Sequence, residues 1–317
     1  MLKVGVIGAG SMGRHHVRLY SELPQCELLG LADPDESKAE LADKHQTEYF
    51  ADHRALLARG PQLVSITAPT SLHHELAIEV LRAGCHLLLE KPVCDDLEQA
   101  EELVEHARGR GLVLAVGHIE RFNPAAVMLR RLIEAGELGE VLAVSNLRVG
   151  PYHGRIMDTG IVLDLGIHDV DLIQLLTGAR TERVFATALN RQHQHEDQAV
   201  LQLALADGRT GMIELSWNAP YRMRNILVSG TRRYAMCDLL NQRLMIYEEH
   251  EESGRLLPQP YPVTAGEPLR AELESVIASV EQGTAPACPA EDSIHALRVC
   301  LAALRSIESR EAEVVDS

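Results

Sequence analysis

The chain has 317 residues, too many for one small hydrophobic core, so we expect two domains. Its 46% hydrophobic content is that of an ordinary globular protein, and its apolar runs stay well below the roughly 20 residues of a membrane span. The 30 basic and 46 acidic residues give a formal net charge of −16, which argues against nucleic acid or an anionic membrane as a partner.

Short apolar segments alternate with helical patterns up to Ile119. The strand-like segments read LKVGVIG, CELLGLAD, LVSITAP, HLLLEKP and LVLAVGH. The helical segments between them read MGRHHVRLYSEL, SKAELADKH, LHHELAIEVLRAG and LEQAEELVEHARGRG. This alternation predicts an α/β fold with a parallel, doubly wound sheet, and we assign it to a first domain, residues 1–119.

The pattern changes in residues 120–317, which we assign to a second, α+β domain. Asn123 and Pro124 are typical of the cap and first position of a helix, and residues 160–176 predict a second helix. Longer strand-like runs follow, with Asp207–Gly208 typical of a hairpin turn. Two more helices are expected near 267–282 and 290–309, and the last residues, EAEVVDS, are expected to fray. These features predict a largely antiparallel sheet with helices on one face.

A glycine motif follows the first strand and opens a helix. Gly8, Gly10 and Gly13 have the spacing that allows a tight turn, close approach to a diphosphate and close helix packing. Ser11 and Met12 complete the predicted loop, and Asp33 ends the second strand, where a carboxylate accepts ribose hydroxyls. A carboxylate there repels a 2′-phosphate, so NAD is predicted in preference to NADP. Lys38 leaves dual use open.

The predicted helix 160–176 carries an acid–base stripe. Asp164, His168 and Asp171 share one face, and the remaining positions are apolar enough to leave no solvated side. Oxidation of a secondary alcohol needs such groups: His168 suits the base, and Asp164 can orient its imidazole. Lys91 ends a parallel strand and suits the stabilisation of a forming alkoxide.

The segment TAPTSLHHELAIEVLRAGCHLLLEKP resembles the Gfo/Idh/MocA oxidoreductase family, as do Glu90-Lys91-Pro92 and the D-x-G-x-H-x-x-D pattern that begins at Asp164. The resemblance implies a Rossmann domain followed by an open, mainly antiparallel sheet that binds substrate and often forms dimer contacts. It assigns the catalytic roles to Lys91, Asp164 and His168. It also implies a set of cofactor-binding residues beyond the glycine loop and Asp33: Pro69, Thr70, His73 and Glu90.

A narrower resemblance, carried by GHIERFNPA and ELSWNAPYRMRNILVSGT, is to the branch that oxidises the 3-hydroxyl of UDP-N-acetylglucosamine. It implies a small-molecule sugar or nucleotide-sugar substrate, a homodimer or homotetramer, and an aminotransferase that consumes the keto product. Arginine forks suit a diphosphate. The residues expected to bind the substrate are Arg121, Asn123, Arg148, Arg155 and Asp171. For Asp171 a role as a structural partner stays open as the alternative.

Other interpretations of the sequence stay open. A free cyclitol or monosaccharide dehydrogenase, and a sensor that binds NAD without turnover, fit the same motifs. His16 follows the glycine motif at a spacing that suits either the cofactor cleft or an ordinary helix position. His193 and His195 in HQHED lie in a polar connection, and we expect no metal site there. The six cysteines form no C-x-x-C pair, which favours reduced thiols and a cytoplasmic protein.

Overall fold

The computed structural model describes residues 1–152, 159–191, 194–249 and 255–316. The contacts within the chain define two compact units. The first comprises Met1–Ile119 and Leu269–Ile294, and the second comprises Glu120–Pro268 and His295–Ser317. Within the described ranges, every helix is too short or too polar to cross a lipid bilayer.

Helices and strands occupy most of both units. The helices are α1 (Gly13–Glu22), α2 (Ala39–Lys44), α3 (His53–Leu57), α4 (His73–Arg82), α5 (Leu97–Gly109), α6 (Pro124–Glu134), α7 (Ile167–Thr177), α8 (Pro268–Gln282) and α9 (Ala290–Ser309). The strands are β1 (Leu2–Ile7), β2 (Cys26–Ala32), β3 (Glu48–Phe50), β4 (Leu63–Ile66), β5 (His86–Glu90), β6 (Leu114–Gly117), β7 (Val141–Pro151), β8 (Thr181–Leu189), β9 (Gln198–Leu205), β10 (Thr210–Ser216), β11 (Asn218–Gly230), β12 (Tyr234–Asp238), β13 (Arg243–Glu249), β14 (Leu256–Tyr261) and β15 (Glu313–Val314).

The first unit is built on a parallel sheet with the strand order β3-β2-β1-β4-β5-β6. This confirms the doubly wound sheet expected from the alternating pattern. The order of strands reverses between β1 and β4, and ligands of such sheets bind at the carboxyl ends of the strands beside that point. The glycine loop leaves the sheet at this point, because it directly follows β1.

Helix α8 belongs to the core of the first unit by its contacts. Leu269, Leu273, Val276 and Ile277 are buried in one cluster with apolar residues of β1 and α1. The sequence boundary at 119/120 places this helix in the second domain, whereas the contacts group Leu269–Ile294 with the first. The reason is that the apolar side of α8 is buried against β1 and α1, although α8 is far from both along the chain.

The second unit contains a nine-stranded sheet of order β14-β13-β12-β11-β7-β10-β9-β8-β15. Its strands pair antiparallel except for β7 and β10, which are parallel, so the predicted mainly antiparallel sheet is confirmed. The predicted hairpin joins β9 to β10, with Gly208 at φ +85°. Helix α7 packs on this sheet, where Ile173 leaves little space for a side chain at Gly211.

The chain terminus differs from its prediction. Instead of fraying, β15 pairs antiparallel with the edge strand β8, and the amide of Val315 donates to the carbonyl of Glu182 at 2.8 Å. Val315 is also buried. The unpaired backbone of an edge strand offers hydrogen bonds that a short polar segment can take, whatever its own strand propensity.

Helix α7 begins with an irregular turn that the sequence pattern did not indicate. Residues Val162–Gly166 form a π-helical turn before the α-helix, and the amide of Ile167 donates to the carbonyl of Val162. The hydrogen bond of a π turn spans one residue more than that of an α-helix, and such turns are frequent at functional sites. Asp164 lies within this turn and His168 lies just after it, so their spacing is not that of an uninterrupted α-helix.

Candidate active site

The three motif glycines of the first unit differ in the space around them. Gly8 has φ +89°, and a Cβ there would lie 2.7 Å from the amide nitrogen of Ala68. Gly13 opens α1, and its Cβ would lie 2.0 Å from the carbonyl oxygen of Gly8. Around Gly10 a Cβ would meet nothing within 4 Å among the described atoms. The loop is therefore packed tightly at both ends and open in the middle, where a ligand backbone needs room.

Asp33 lies beside this loop. One carboxylate oxygen accepts a hydrogen bond from the amide of Ala9 at 2.7 Å, and the other accepts from the amide of Asp35 at 2.9 Å. The hydroxyl of Tyr49 donates to the Asp33 carbonyl at 2.7 Å. These contacts fix the carboxylate at the end of β2, next to the glycine turn. Lys38, considered above for NADP, forms an ion pair with Asp35 at 2.9 Å.

A dinucleotide fits these residues. The N-cap residue of α1, Met12, provides no side-chain hydrogen bond to the first turn, and the N-terminus of a helix favours an anion such as a diphosphate. The open space at Gly10 and the anchored carboxylate of Asp33 suit the diphosphate and the ribose, respectively. Pro69 and Thr70 follow β4 and retain exposed surface, as a cofactor contact requires.

Glu90 joins the end of β5 to the first turn of α1. Its carboxylate accepts a hydrogen bond from Nε2 of the fully buried His16 at 3.3 Å, and its second oxygen accepts from the amide of Lys91 at 3.3 Å. Burial by itself raises the pKa of Glu90, but His16 and Lys91 more than offset that effect and hold the pKa below its ordinary value. The ionised carboxylate thus fixes the backbone at Lys91.

His73 is placed differently from a ligand-contacting residue. It was assigned to the cofactor, yet its side chain is buried, with relative exposure of 0%. Its ring nitrogens lie 2.9 Å from the carbonyl oxygen of Pro92 and 3.0 Å from that of Ala68. Burial lowers the pKa of His73, although the carbonyl contacts oppose the shift. The ring therefore ties the turn after β4 to the turn after Lys91, and its influence on a cofactor would be indirect.

The second unit contains an open cavity of about 420 Å³. Its wall combines cationic, aromatic and acidic side chains with the backbone of β7: Arg148, Val149, Gly150, Pro151, Tyr152, Asp164, Leu165, Trp217, Arg222 and Arg224. The rings of Tyr152 and Trp217 lie 5.2 Å apart and tilted. A volume and lining of this kind are typical of small-molecule sites.

The acid–base stripe divides at this cavity. Asp164 lies in the cavity wall, whereas His168 retains 8% exposure and Asp171 only 1%. Arg121 binds Asp171 through two hydrogen bonds, Nε to Oδ2 at 2.8 Å and Nη2 to Oδ1 at 2.5 Å. Asp171 and Arg121, both assigned to the substrate from the sequence, are therefore buried partners of each other. Arg155, also assigned to the substrate, lies outside the described residues.

Asn123 and Arg148 also have partners within the protein. Asn123 caps α6 by accepting from the amide of Ala125 at 3.1 Å, which confirms the predicted N-cap, and it donates to the carbonyl of Leu239 at 2.9 Å. Arg148 lines the cavity, but all three of its nitrogens are engaged. Nε and Nη2 donate to Asp169 at 2.7 and 3.0 Å, and Nη1 donates to Glu120 at 3.0 Å. Its 2% exposure leaves little surface for a ligand.

Arg148 belongs to a cluster of charged side chains. Three of its members were missed in the sequence: Glu120, Asp169 and Arg224. Asp169 directly follows His168, so the buried pair with Arg148 fixes the backbone beside the imidazole. Burial by itself lowers the pKa of Arg148, but Asp169 and Glu120 raise it above its ordinary value. For Glu120, burial by itself raises the pKa, but Arg148 and Arg224 hold it below its ordinary value. Arg148 and Glu120 are thus both charged at neutral pH.

A glycine loop suited to a dinucleotide in the first unit, and a small-molecule cavity with Asp164 in its wall in the second, are the features of an oxidoreductase that uses a nicotinamide dinucleotide. Residues 2–118 match the oxidoreductase family described as an NAD-binding Rossmann fold, and residues 127–235 match the GFO/IDH/MocA C-terminal domain. The chain belongs to the Gfo/Idh/MocA family of oxidoreductases, and it is an enzyme acting on CH–OH groups.

Named relatives extend over nearly the whole chain. It is 34% identical to a UDP-N-acetylglucosamine 3-dehydrogenase of Acidithiobacillus ferrooxidans, over 96% of each chain. A solved structure of that enzyme superposes with a TM-score of 0.89 at 31% identity, covering 97% of this chain and 98% of the other. A scyllo-inositol 2-dehydrogenase (NAD(+)) of Bacillus subtilis is 26% identical, and the matched region covers 97% of this chain and 94% of that enzyme.

Proposed function

We propose that the chain oxidises a secondary hydroxyl of a sugar to a ketone with NAD, and that this hydroxyl is the 3-hydroxyl of UDP-N-acetylglucosamine. The observation that carries the proposal is Asp164 in the wall of the cavity of the second unit, four residues before His168. The 34% identity to a UDP-N-acetylglucosamine 3-dehydrogenase over 96% of the chain supports the choice of sugar.

The reaction removes a proton from the hydroxyl and a hydride from the carbinol carbon. We assign the proton to His168, because an imidazole can accept and return a proton near neutral pH. Asp164 then orients the imidazole and stabilises the imidazolium. The ion pairs that Asp169 and Asp171 form with Arg148 and Arg121 hold the part of the helix that directly follows His168.

Lys91 is assigned to the substrate oxygen. Its ammonium stabilises negative charge as the hydroxyl loses its proton, and the hydrogen bond from its amide to Glu90 fixes its backbone. NAD, when bound, supplies the hydride acceptor. Gly8, Gly10 and Gly13, with Ser11, Met12 and Asp33, are proposed to hold it, with Pro69, Thr70 and Glu90 nearby.

A substrate panel tests this function. The protein is incubated with NAD and with hydroxylamine to trap a ketone, and reduction is followed at about 340 nm, the NADH absorbance. The substrates are UDP-N-acetylglucosamine, myo-inositol, scyllo-inositol and glucose. We expect the highest kcat/KM for UDP-N-acetylglucosamine. Turnover of a cyclitol or glucose without turnover of the nucleotide sugar would contradict the proposed substrate, and NAD binding without turnover of any would favour a sensor.

Cofactor choice is attributed to Asp33. Replacement of Asp33 by alanine is expected to raise the KM for NAD by about 10- to 100-fold, the value of one charge-assisted contact. It should also reduce the preference for NAD over NADP, since the negative charge that repels a 2′-phosphate is lost. Asp43→Ala is the matched control, because it removes an exposed carboxylate that lies on α2. An unchanged NAD/NADP ratio of kcat/KM in Asp33→Ala would contradict this assignment.

The assembly and the fate of the product are further parts of the proposal. Phe185, Val200 and Met212 are exposed on one face of neighbouring strands, with 39%, 40% and 49% of their surface accessible. Such a face suits a homodimer or homotetramer, and light scattering after gel filtration would measure the mass directly.

A 3-keto sugar nucleotide carries the carbonyl that an aminotransferase uses, so an enzyme of that class is the proposed consumer of the product.

A further inference from the structure

Two arginines that the sequence reasoning did not assign lie in the wall of the cavity. Arg222 and Arg224 are on β11, two residues apart, so their Cα atoms are separated by about 7 Å. Both are more exposed than Arg148: Arg222 is exposed, and the Arg224 side chain retains 40% of its surface. Among the described residues of the wall, they are thus the cationic groups that have surface to offer a ligand.

The position of Arg222 depends on an irregularity in the sheet. Asn218 of β11 pairs with Pro151 of β7, and the next paired residue, Met223, pairs with Val149. Four residues of β11 therefore lie opposite the single residue Gly150 of β7, so the extra residues bulge out of the ladder. Arg222 lies in this bulge, over Gly150, where a Cβ would come within 3.2 Å of its Cγ. Bulges of this kind redirect side chains next to active sites.

Arg224 occupies a position that is unfavourable without a counter-charge. It lies directly opposite Arg148 across the β7–β11 ladder. Like charges in this arrangement destabilise a sheet. Both guanidinium groups share one oxygen of Glu120, at 3.0 and 3.1 Å. Burial and the neighbouring Arg148 lower the pKa of Arg224. A further anion beside Arg224 would relieve this repulsion.

We propose that Arg222 and Arg224 bind a phosphate group of the substrate and thereby select a phosphorylated sugar over a neutral one. The carboxylate of Asp164 in the same wall repels a phosphate and accepts hydrogen bonds from hydroxyls. One cavity thus contains groups for an anion and groups for an alcohol, the two features that a sugar nucleotide presents. This inference rests on the proposed function and assigns its selectivity to residues of β11.

Steady-state kinetics of the full chain with UDP-N-acetylglucosamine and saturating NAD test the proposal. Arg222→Gln is expected to raise KM by about 10- to 100-fold, the range for a charge-assisted contact, with kcat changed by less than about threefold. Arg224→Lys, which keeps a cation beside Glu120, should raise KM less than Arg224→Gln. Arg243→Gln on β13 of the same sheet is the matched control and should behave as the unaltered protein. An unchanged KM in Arg222→Gln and Arg224→Gln would overturn the proposal.

Ligand binding separates this inference from the proposed function. UDP, N-acetylglucosamine 1-phosphate, inorganic phosphate and N-acetylglucosamine are titrated calorimetrically into the NAD-bound protein. Binding of UDP or the sugar phosphate, weakened at least about tenfold in Arg222→Gln, supports the inference even if UDP-N-acetylglucosamine is not oxidised. Comparison of UDP with inorganic phosphate distinguishes a nucleotide diphosphate from a free anion as the ligand. If none of the three phosphate compounds binds, the inference is wrong.

Discussion

Replacement of His168 by alanine is expected to lower kcat for UDP-N-acetylglucosamine by about 10²- to 10⁴-fold, the usual contribution of general acid–base catalysis. The imidazole is the proposed acceptor of the hydroxyl proton, and water replaces it poorly. The affinity for NAD should change little, because His168 belongs to the second unit and the glycine loop to the first. Stopped-flow kinetics for turnover and calorimetry for NAD measure the two quantities separately.

His195→Ala is the matched control, since His195 is exposed in the same unit. A pH profile adds a second readout. The dependence of kcat on a single ionisation should disappear in His168→Ala if this imidazole is the base, and should persist if it only supports the helix. A kcat within about threefold of the unaltered enzyme would remove His168 from the mechanism.

Replacement of Lys91 by methionine is expected to lower kcat by about 10²- to 10³-fold, the cost of removing one group that stabilises a developing oxyanion. Methionine keeps the length and apolar stem of the side chain and removes its charge. The amide of residue 91 still donates to Glu90, so the end of β5 should keep its structure. The test compares kcat with the KM for NAD, which we expect to change much less.

Lys44→Met is the control for loss of a lysine charge, because Lys44 is exposed at the end of α2. Lys91→Arg should recover part of the activity, since a cation returns near the reacting oxygen. Equal losses of kcat in Lys91→Met and Lys44→Met would show that the charge of Lys91 has no specific role in the reaction.

Local patterns made the glycine loop predictable. The packing of Gly13 against Gly8 involves residues only five apart, and the absence of a side chain at both positions is visible in the sequence itself. The alternation of apolar strands and helices similarly predicted the parallel sheet. Asp33 follows because the end of a strand fixes where its next residue lies.

The charged cluster of the second unit was less accessible to sequence reasoning. Arg121 and Arg148 were expected at the substrate because arginine suits a diphosphate. Instead, each binds a carboxylate of α7, which is 50 residues away along the chain from Arg121 and 21 residues away from Arg148. Asp169 was overlooked beside His168, since the regular helical spacing drew attention to Asp164 and Asp171. Which of these distant charges pair depends on how the helix packs against the sheet, and the spacing of residues along the sequence does not show that packing.

The arginines of β11 and the π turn were missed for a similar reason. Arg222 and Arg224 alternate in YRMRN as residues on one strand face do, but only the bulge opposite Gly150 places Arg222 at the cavity. The π turn at Val162–Gly166 reflects local hydrogen bonding in a segment whose apolar pattern also fits an ordinary α-helix. The edge pairing of β15 likewise required knowledge of which strand was unpaired.

Transfer of a labelled hydrogen tests the proposed reaction most directly. UDP-N-acetylglucosamine carrying deuterium at C3 is incubated with the protein and NAD, and both products are analysed by mass spectrometry. The account predicts NADH that carries the deuterium, together with a nucleotide sugar that has lost the C3 deuterium and one hydroxyl proton. Reduced cofactor without deuterium, or a sugar oxidised elsewhere with its C3 label retained, would contradict it.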